Sequence, residues 1–423
     1  MACPGITDKQ LVDAANTVFQ GDGQSFLGLA NAYGNFYDFW ELGHSFDTIV
    51  DYFVNVSPDP ANAAGFAQTA LQQYQGSLTN ACWYDDYGWW GIAALKASQH
   101  PKLFGSAASD FSKICFDKNN PRCCWTVMDA NAPNVWRNNQ NDPRFAVLKP
   151  RFDGGIWNAD WTRPDECGLV GPAAGIPPNC GGNHKQGDNL RGIQNTVTNC
   201  LYVVLAARLF QATNIKDYGI ATDREWAFLE NWWGRNVTEP AHKLLNKVGA
   251  SQFVIRERAS TYAFNSGAFP IVCGYQPELA WAGDQGLFLG GLVDRMLIVG
   301  HDSPEYAGLV DLAKAIALGV KSQTDAYHGG ILTAWVTQTD GGDPGDYDTG
   351  VAVYMRYLLY AYQAKDRGGR YLLRDVLKDM GYVDFVCKNT ADVMKNYKNH
   401  SSVVDLTNDL ATLVAAIVMS KSA

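Results

Sequence analysis

Apolar positions along the chain recur at helical spacing almost from end to end, and the periodic segments fall into two alternating kinds. Segments of the first kind carry charges along one face: roughly 7 to 20, 59 to 75, 103 to 117, 217 to 232, 304 to 323 and 370 to 396. Thr7 with Gln10 gives a capping box, Pro60 and Pro304 sit where first turns begin, and Gly21 and Gly76 predict stops. Segments of the second kind, roughly 38 to 53, 85 to 98, 195 to 213, 284 to 299, 348 to 364 and 403 to 420, are rich in Gly, Ala and aromatics. Within them Leu201-Tyr202-Val203-Val204-Leu205-Ala206-Ala207 is apolar all round, and such a helix must be covered on every side. One helical hairpin cannot bury its inner helix alone, whereas neighbouring hairpins in a closed ring can. The alternation therefore predicts an all-α fold, an (α/α)6 toroid of six hairpins, with residues 1–423 forming one domain.

Between the helices, 119 to 194 and 235 to 283 read as long irregular stretches rich in Gly, Pro, Asn, Trp and Cys. Long loops in a compact domain carry function or are stapled. Cys123, Cys124, Cys167 and Cys180, four of the ten cysteines, concentrate there. An even cysteine count without Cys-x-x-Cys disfavours zinc, and Asn-x-Ser/Thr acceptors stand at Asn236 and Asn399, with a weaker one at Asn55 before Pro58. Together these predict a secreted glycoprotein with most cysteines paired, Cys167 and Cys180 among those pinning the first loop. The N-terminus lacks an apolar signal region, so the expectation is a mature chain with a start Met added.

Charge narrows the partners. With Lys+Arg 34 against Asp+Glu 43, a net charge of -9 and no basic run, a nucleic-acid backbone is disfavoured and a neutral or cationic ligand fits better. No uninterrupted run of 18 apolar residues occurs, which predicts no membrane span. Phosphate-binding glycine loops, Gly-x-Ser-x-Gly and His-Glu-x-x-His are absent, arguing against kinase, α/β-hydrolase and zinc-protease chemistry. No cofactor is expected. The loop Asp340 to Asp348 has alternating oxygens but no EF-hand spacing, and reads as a turn into a helix capped by Asp346 or Asp348.

Candidate chemistry concentrates in Trp83-Tyr84-Asp85-Asp86-Tyr87-Gly88-Trp89-Trp90-Gly91, where two consecutive carboxylates sit among five aromatic rings. Carboxylates are costly to remove from water, and aromatic rings are surfaces on which sugars stack, so the stretch points to an acid and a carboxylate working on a glycosidic bond. An Asp pair capping the helix that continues through Ile92 to Lys96, with the aromatics as core, would look the same. In the toroid the pair falls at the N-terminal end of an inner helix, facing the mouth of the ring, where the helix dipole favours anions. Consecutive helical residues diverge by about 100°. One carboxylate can thus approach a sugar carbon while the other reaches the glycosidic oxygen.

Two further pairs are candidates for the same mouth. Asp153 and Trp157 could meet a sugar hydroxyl and a ring face, or form a glycine turn with a core Trp. Asp284 and Gln285 could bind substrate, or Asp284 could simply cap its helix. His328 reads as a satisfied loop histidine.

With Trp83 to Trp90, Gly154-Gly155-Ile156-Trp157, Asn199 to Thr213 and Asp284 to Leu292 in this order, the chain resembles glycoside hydrolase family 76, whose members include endo-acting α-1,6-mannanases. The resemblance spans most of the chain. It implies an endo-α-glycosidase that acts on an α-linked polysaccharide, with Asp85 as nucleophile and Asp86 as general acid/base; the adjacency of the two carboxylates suits retention, and the protein is expected to be a secreted monomer. That role requires Asp86 to keep its proton near neutral pH, through burial and the like charge of Asp85. Trp83, Tyr84, Tyr87, Trp89, Trp90, Trp157 and Trp161 would stack sugars. Asn158 stands where the family usually has a second Trp, Asp284 where an Asn often precedes Gln-Gly, and Tyr354 in the place of a late Arg; these departures bear on mannan specificity. A lyase or epimerase on the same toroid would move protons with groups such as Tyr262, His328 and Arg256, which form no recognisable array. A wall-remodelling transglycosylase would keep the aromatics.

Overall fold

The computed structural model describes residues 3–31, 38–77, 83–131, 155–156, 195–232, 244–257, 280–337 and 345–421. In chain order its helices are α1 (Asp8–Asn31), α2 (Asp38–Asn55), α3 (Pro60–Ser77), α4 (Tyr84–Ser98), α5 (Pro101–Phe104), α6 (Ala107–Phe116), α7 (Cys124–Asn131), α8 (Thr196–Thr213) and α9 (Lys216–Trp232), followed by α10 (Ala282–Val299), α11 (Pro304–His328), α12 (Gly350–Gln363), α13 (Arg374–Asp379), α14 (Tyr382–Asn396) and α15 (Val403–Lys421).

The predicted inner segments are α2, α4, α8, α10, α12 and α15. Each packs on the next, and α15 returns to α2, so the ring closes. The amphipathic helices α1, α3, α6, α9, α11 and α14 lie outside, each against an inner helix. Close approach within the ring depends on glycine. A Cβ at Gly88 would lie 2.8 Å from Leu201 of α8, and one at Gly286 would lie 2.7 Å from the Tyr354 backbone of α12. Any side chain there would force the inner helices apart.

All six inner helices point the same way. Near their N-termini, the Trp90 indole of α4 reaches back to the Phe39 carbonyl of α2, Trp281 before α10 reaches Tyr347 before α12, and Asn408 of α15 holds Asp348 and Ala352. Near their C-termini, Arg208 of α8 meets Asp294 of α10, and the Tyr362 hydroxyl of α12 reaches Met419 of α15.

The capping box forms as predicted: the Thr7 amide donates to Gln10 Oε1 at 2.8 Å, and the Gln10 amide to Thr7 Oγ1 at 3.2 Å. Gly21 is not a stop. Helix α1 runs ten residues beyond it, because Gly21 and Gly23 make room for Leu406 and Phe66. The predicted 103 to 117 segment is instead α5 and α6, parted by Gly105 at φ 56°, and 370 to 396 is α13 and α14, parted by Gly381 at φ 75°. The stretches read as irregular contain helix α7 and an antiparallel hairpin of β1 (Leu245–Gly249) and β2 (Gln252–Ile255).

The expectation that Cys123 and Cys124 help staple the first loop needs correction. Cys3 and Cys387 form a disulfide, but Cys115, Cys123, Cys124 and Cys200 are buried free thiols. They pack as small apolar groups, and burial pushes the thiols of Cys115 and Cys200 well up, away from thiolate chemistry. Cys167 and Cys180 lie outside the described residues. The disulfide spans 384 residues and ties the segment before α1 to α14, across the seam where first and last hairpins meet. Helix α15 is long and apolar enough to cross a membrane by length and composition, and here it is mostly buried as one wall of the ring.

Candidate active site at the mouth of the ring

Helix α4 begins after Trp83, whose backbone is extended (φ -97°, ψ 131°) and whose side chain makes no capping bond. Asp85 and Asp86 therefore occupy the first turn rather than the cap position. Asp86 is 4% exposed, while Asp85 is partly open to solvent. The first turn of a helix offers unpaired N–H groups and the positive end of the dipole, which suits carboxylates.

The aromatic shell is mainly wall. Trp90 is 0% exposed, packed against Phe39, Phe46 and Tyr74, with its indole donating to the Phe39 carbonyl at 2.7 Å. No ring face is left there for a sugar, which corrects the expectation for Trp90. Trp89 meets the His44 ring edge-on at 5.7 Å, Tyr87 meets Phe39 likewise, and Tyr84 is also buried. Of the five rings, Trp83 is the one that the structure leaves half-buried.

Buried side-chain amides fix the loops around the mouth. Asn199, in the first turn of α8, accepts from the Ile156 amide at 2.8 Å and donates to its carbonyl at 3.2 Å. Two stretches that carried the family resemblance thus interlock, and the backbone just before Ile156 needs glycine, since Gly155 has φ 72° and lies against Phe228. Gln285 does the same for β2: it accepts from the Ile255 amide and donates to the Ile255 carbonyl, both at 2.7 Å, and also reaches Trp281 O. Its amide is committed to the hairpin, so Gln285 is a loop anchor rather than a sugar ligand. Asn389 repeats the device from α14, holding Leu332 and Gly330. Composition alone does not distinguish such clamps from ligands, because both are polar residues at helix ends.

Asp284 is fully buried in the first turn of α10, where Trp281 takes the cap position without a capping bond. It lies near Cys200 of α8, whose thiol is raised by burial and then by the charge of Asp284. Asp153, Trp157 and Trp161 lie outside the described residues. Tyr354 turns away from the mouth and pairs its hydroxyl with that of Tyr382 at 2.7 Å. His328 ends α11 with Nε2 3.3 Å from the Thr337 carbonyl, as a satisfied loop residue would.

The opposite end of the ring is built differently. Arg356 Nε lies 3.0 Å from Asp47, Lys96 bridges Asp47 and Asp51, and Arg208 meets Asp294 at 3.0 Å beneath the Tyr360 hydroxyl. Burial would raise the Asp47 carboxyl, but Lys96 and Arg356 more than offset it and hold it below its usual value. His44 accepts from Arg356 at Nδ1 (3.0 Å), and burial with that guanidinium pushes its pKa well down, keeping it neutral. Asp47, Asp51, Lys96, Arg208, Arg356 and Tyr360 line a cavity of about 50 Å³.

No family model matches the chain, and no curated protein is similar to it in sequence. Solved structures are similar in fold. The α-1,6-mannanase of Salegentibacter sp., as an inactive variant with two consecutive aspartates replaced by asparagine and α-1,6-mannotriose bound, gives a TM-score of 0.58 at 11% identity, over 97% of this chain and 99% of that one. Dfg5 from Chaetomium thermophilum, in complex with glucosamine, gives 0.58 at 14% identity, over 99% and 92%. A protein from Listeria innocua gives 0.54 at 14% identity, over 92% and 87%. The closed ring of six inner and six outer helices is the (α/α)6 fold of the glycoside hydrolase family 76 α-1,6-mannanases.

Proposed function

We propose that the protein is a secreted, retaining endo-α-glycosidase that cleaves an α-linked polysaccharide, α-1,6-mannan first among the candidates. The observation that carries this reading is the consecutive pair Asp85 and Asp86 in the first turn of an inner helix at the mouth, one partly open and the other packed away. The solved mannanase inactivated at two consecutive aspartates with a mannotriose bound supports it.

In the first step Asp86 gives its proton to the glycosidic oxygen while an Asp85 oxygen attacks the anomeric carbon, forming a glycosyl ester and releasing the leaving sugar as an alcohol. In the second step Asp86, now a carboxylate, takes a proton from water as that water displaces Asp85. Adjacent residues suit the separation of about 5 Å that retaining pairs use. The six N-termini favour the negative charge that Asp85 must hold between turnovers. Asp284 is fully buried beside α8 and adds nothing to the open lining of the mouth, and residues 1–423 act as one catalytic unit, a monomer. The Cys3–Cys387 disulfide and the exposed acceptor Asn399 support secretion.

A transglycosylase reading differs in the second step alone, a sugar hydroxyl replacing water. A panel of defined α- and β-linked polysaccharides, with products weighed by mass spectrometry, tests the proposal. Shortened saturated oligosaccharides from α-1,6-mannan support hydrolysis, and products longer than the substrate support transfer. Unsaturated sugars absorbing in the ultraviolet would point to a lyase and overturn both.

A further inference from the structure

The loop between outer helix α11 and inner helix α12 holds an aromatic group that the Asp pair does not use. Trp281, just before α10, pairs with Trp335 as an antiparallel bridge: the Ala282 amide donates to Ala334 O at 2.8 Å and the Val336 amide to Ala280 O at 2.9 Å. The Trp281 indole donates to the Tyr347 carbonyl at 2.6 Å, and the Tyr347 ring lies 4.7 Å from that of Trp335 at a tilt of 38°. Residues 331–337 are fixed from several sides. Asn389 holds Leu332, His328 meets Thr337, and Thr333 Oγ1 donates to Trp335 O.

Neighbouring apolar residues show what this loop does with side chains that belong to the core. Leu332, Val336 and Trp281 are buried, yet Trp335 and Tyr347 stay half-buried, and Tyr327, at the end of α11 on the same rim, is 50% exposed. A large indole held rigidly with part of its surface open is a poor investment as core and a good stacking surface, because little freedom remains to be lost on binding.

Its position sets its role. Trp335 stands by the N-termini of α10 and α12, and α12 lies opposite α4 in the ring. With helix axes about 8–10 Å apart, opposite members of a six-helix ring are about 16–20 Å apart. That distance exceeds one sugar and suits a chain of several lying across the mouth. We propose that Trp335, backed by Tyr347, is a distal sugar-stacking subsite that engages long glycan chains and leaves short ones untouched. This rests on the glycosidase reading of Asp85 and Asp86.

The test uses the full chain carrying Asp86→Asn, so that binding is read without turnover, titrated calorimetrically with linear α-1,6-manno-oligosaccharides of increasing length. Affinity should rise with length until the chain spans the mouth. Adding Trp335→Ala should remove that gain, about tenfold for the longest oligomers with the shortest unchanged, and Trp335→Phe should restore most of it. Equal weakening at every length, or none at any length, overturns the subsite while leaving the glycosidase reading in place. Failure of the parent Asp86→Asn chain to bind any oligomer overturns both.

Discussion

At the base of the ring Asp47, Asp51 and Asp294 lie against Lys96, Arg356 and Arg208, whereas at the mouth Asp85, Asp86 and Asp284 stand in the first turns of inner helices among aromatic rings. The parallel orientation of the inner helices explains the contrast. Six C-termini gather at the base and bring partial negative charge, so acids placed there need cations beside them. Six N-termini gather at the mouth and bring partial positive charge, so carboxylates can be clustered there. One end is built to be neutral; at the other, Asp85 stays partly open to solvent while Asp86 and Asp284 are buried.

Substitution at the mouth should give the largest effects. Asp85→Asn should lower turnover about a thousandfold or more on every substrate, since an amide cannot form the glycosyl ester. Asp86→Asn should be as damaging on natural glycans but should spare aryl glycosides with activated leaving groups, because only the former need a proton. Steady-state kinetics on both substrate types checks this, and equal losses on the two would remove Asp86 from the acid role.

At the base the expected loss is of stability. Asp47→Asn takes the carboxylate from Arg356 in the interior and leaves Lys96 with Asp51 alone, and should cost about 3–5 kcal/mol in denaturant unfolding. Turnover of the folded fraction should stay within about twofold. A collapse of turnover at unchanged stability would show that the two ends are not separate in function.

The smallest effect is expected from Asp22, which joins α1 to α2 and α15 through Ser45 and Thr407. Burial raises its carboxyl from 3.8 to about 7. The folded state therefore prefers the protonated form, and the resulting stability is full below 3.8 and lost as pH rises through about 7. Unfolding free energies measured across that window should fall for the wild type by about 4 kcal/mol at most relative to Asp22→Asn. Parallel curves for the two proteins would mean that Asp22 does not titrate in the folded ring.

The ring was legible because its inner helices, 14 to 19 residues long, are mainly apolar, and their alternation with charged helices has few other solutions. Boundaries at Gly21 and Gly105 were harder, since a glycine that ends a helix and one that admits a neighbour's side chain look alike. The hairpin strands, five and four residues long, carried too little alternation to be seen. Asp85 and Asp86 stood out by their surroundings, but Trp90 and Gln285 show that a motif's chemistry does not say which members face the ligand. The base network has members scattered from His44 to Tyr360 and no local spacing. Its signal was a charge such as Arg208 on a helix otherwise apolar all round, which must find a partner. Trp335 gave none, because its half-burial depends on a loop whose partners lie on α10 and α14.

The central claim is that Asp85 and Asp86 act together, too tightly tethered to admit a water between one of them and the anomeric carbon. An inverting pair needs about 6.5–9.5 Å for that water. Proton NMR of a fresh α-1,6-mannan hydrolysate, recorded before mutarotation, tests this most directly. The account predicts that the first reducing end carries the α configuration; an initial β signal would contradict it and place the second carboxylate elsewhere.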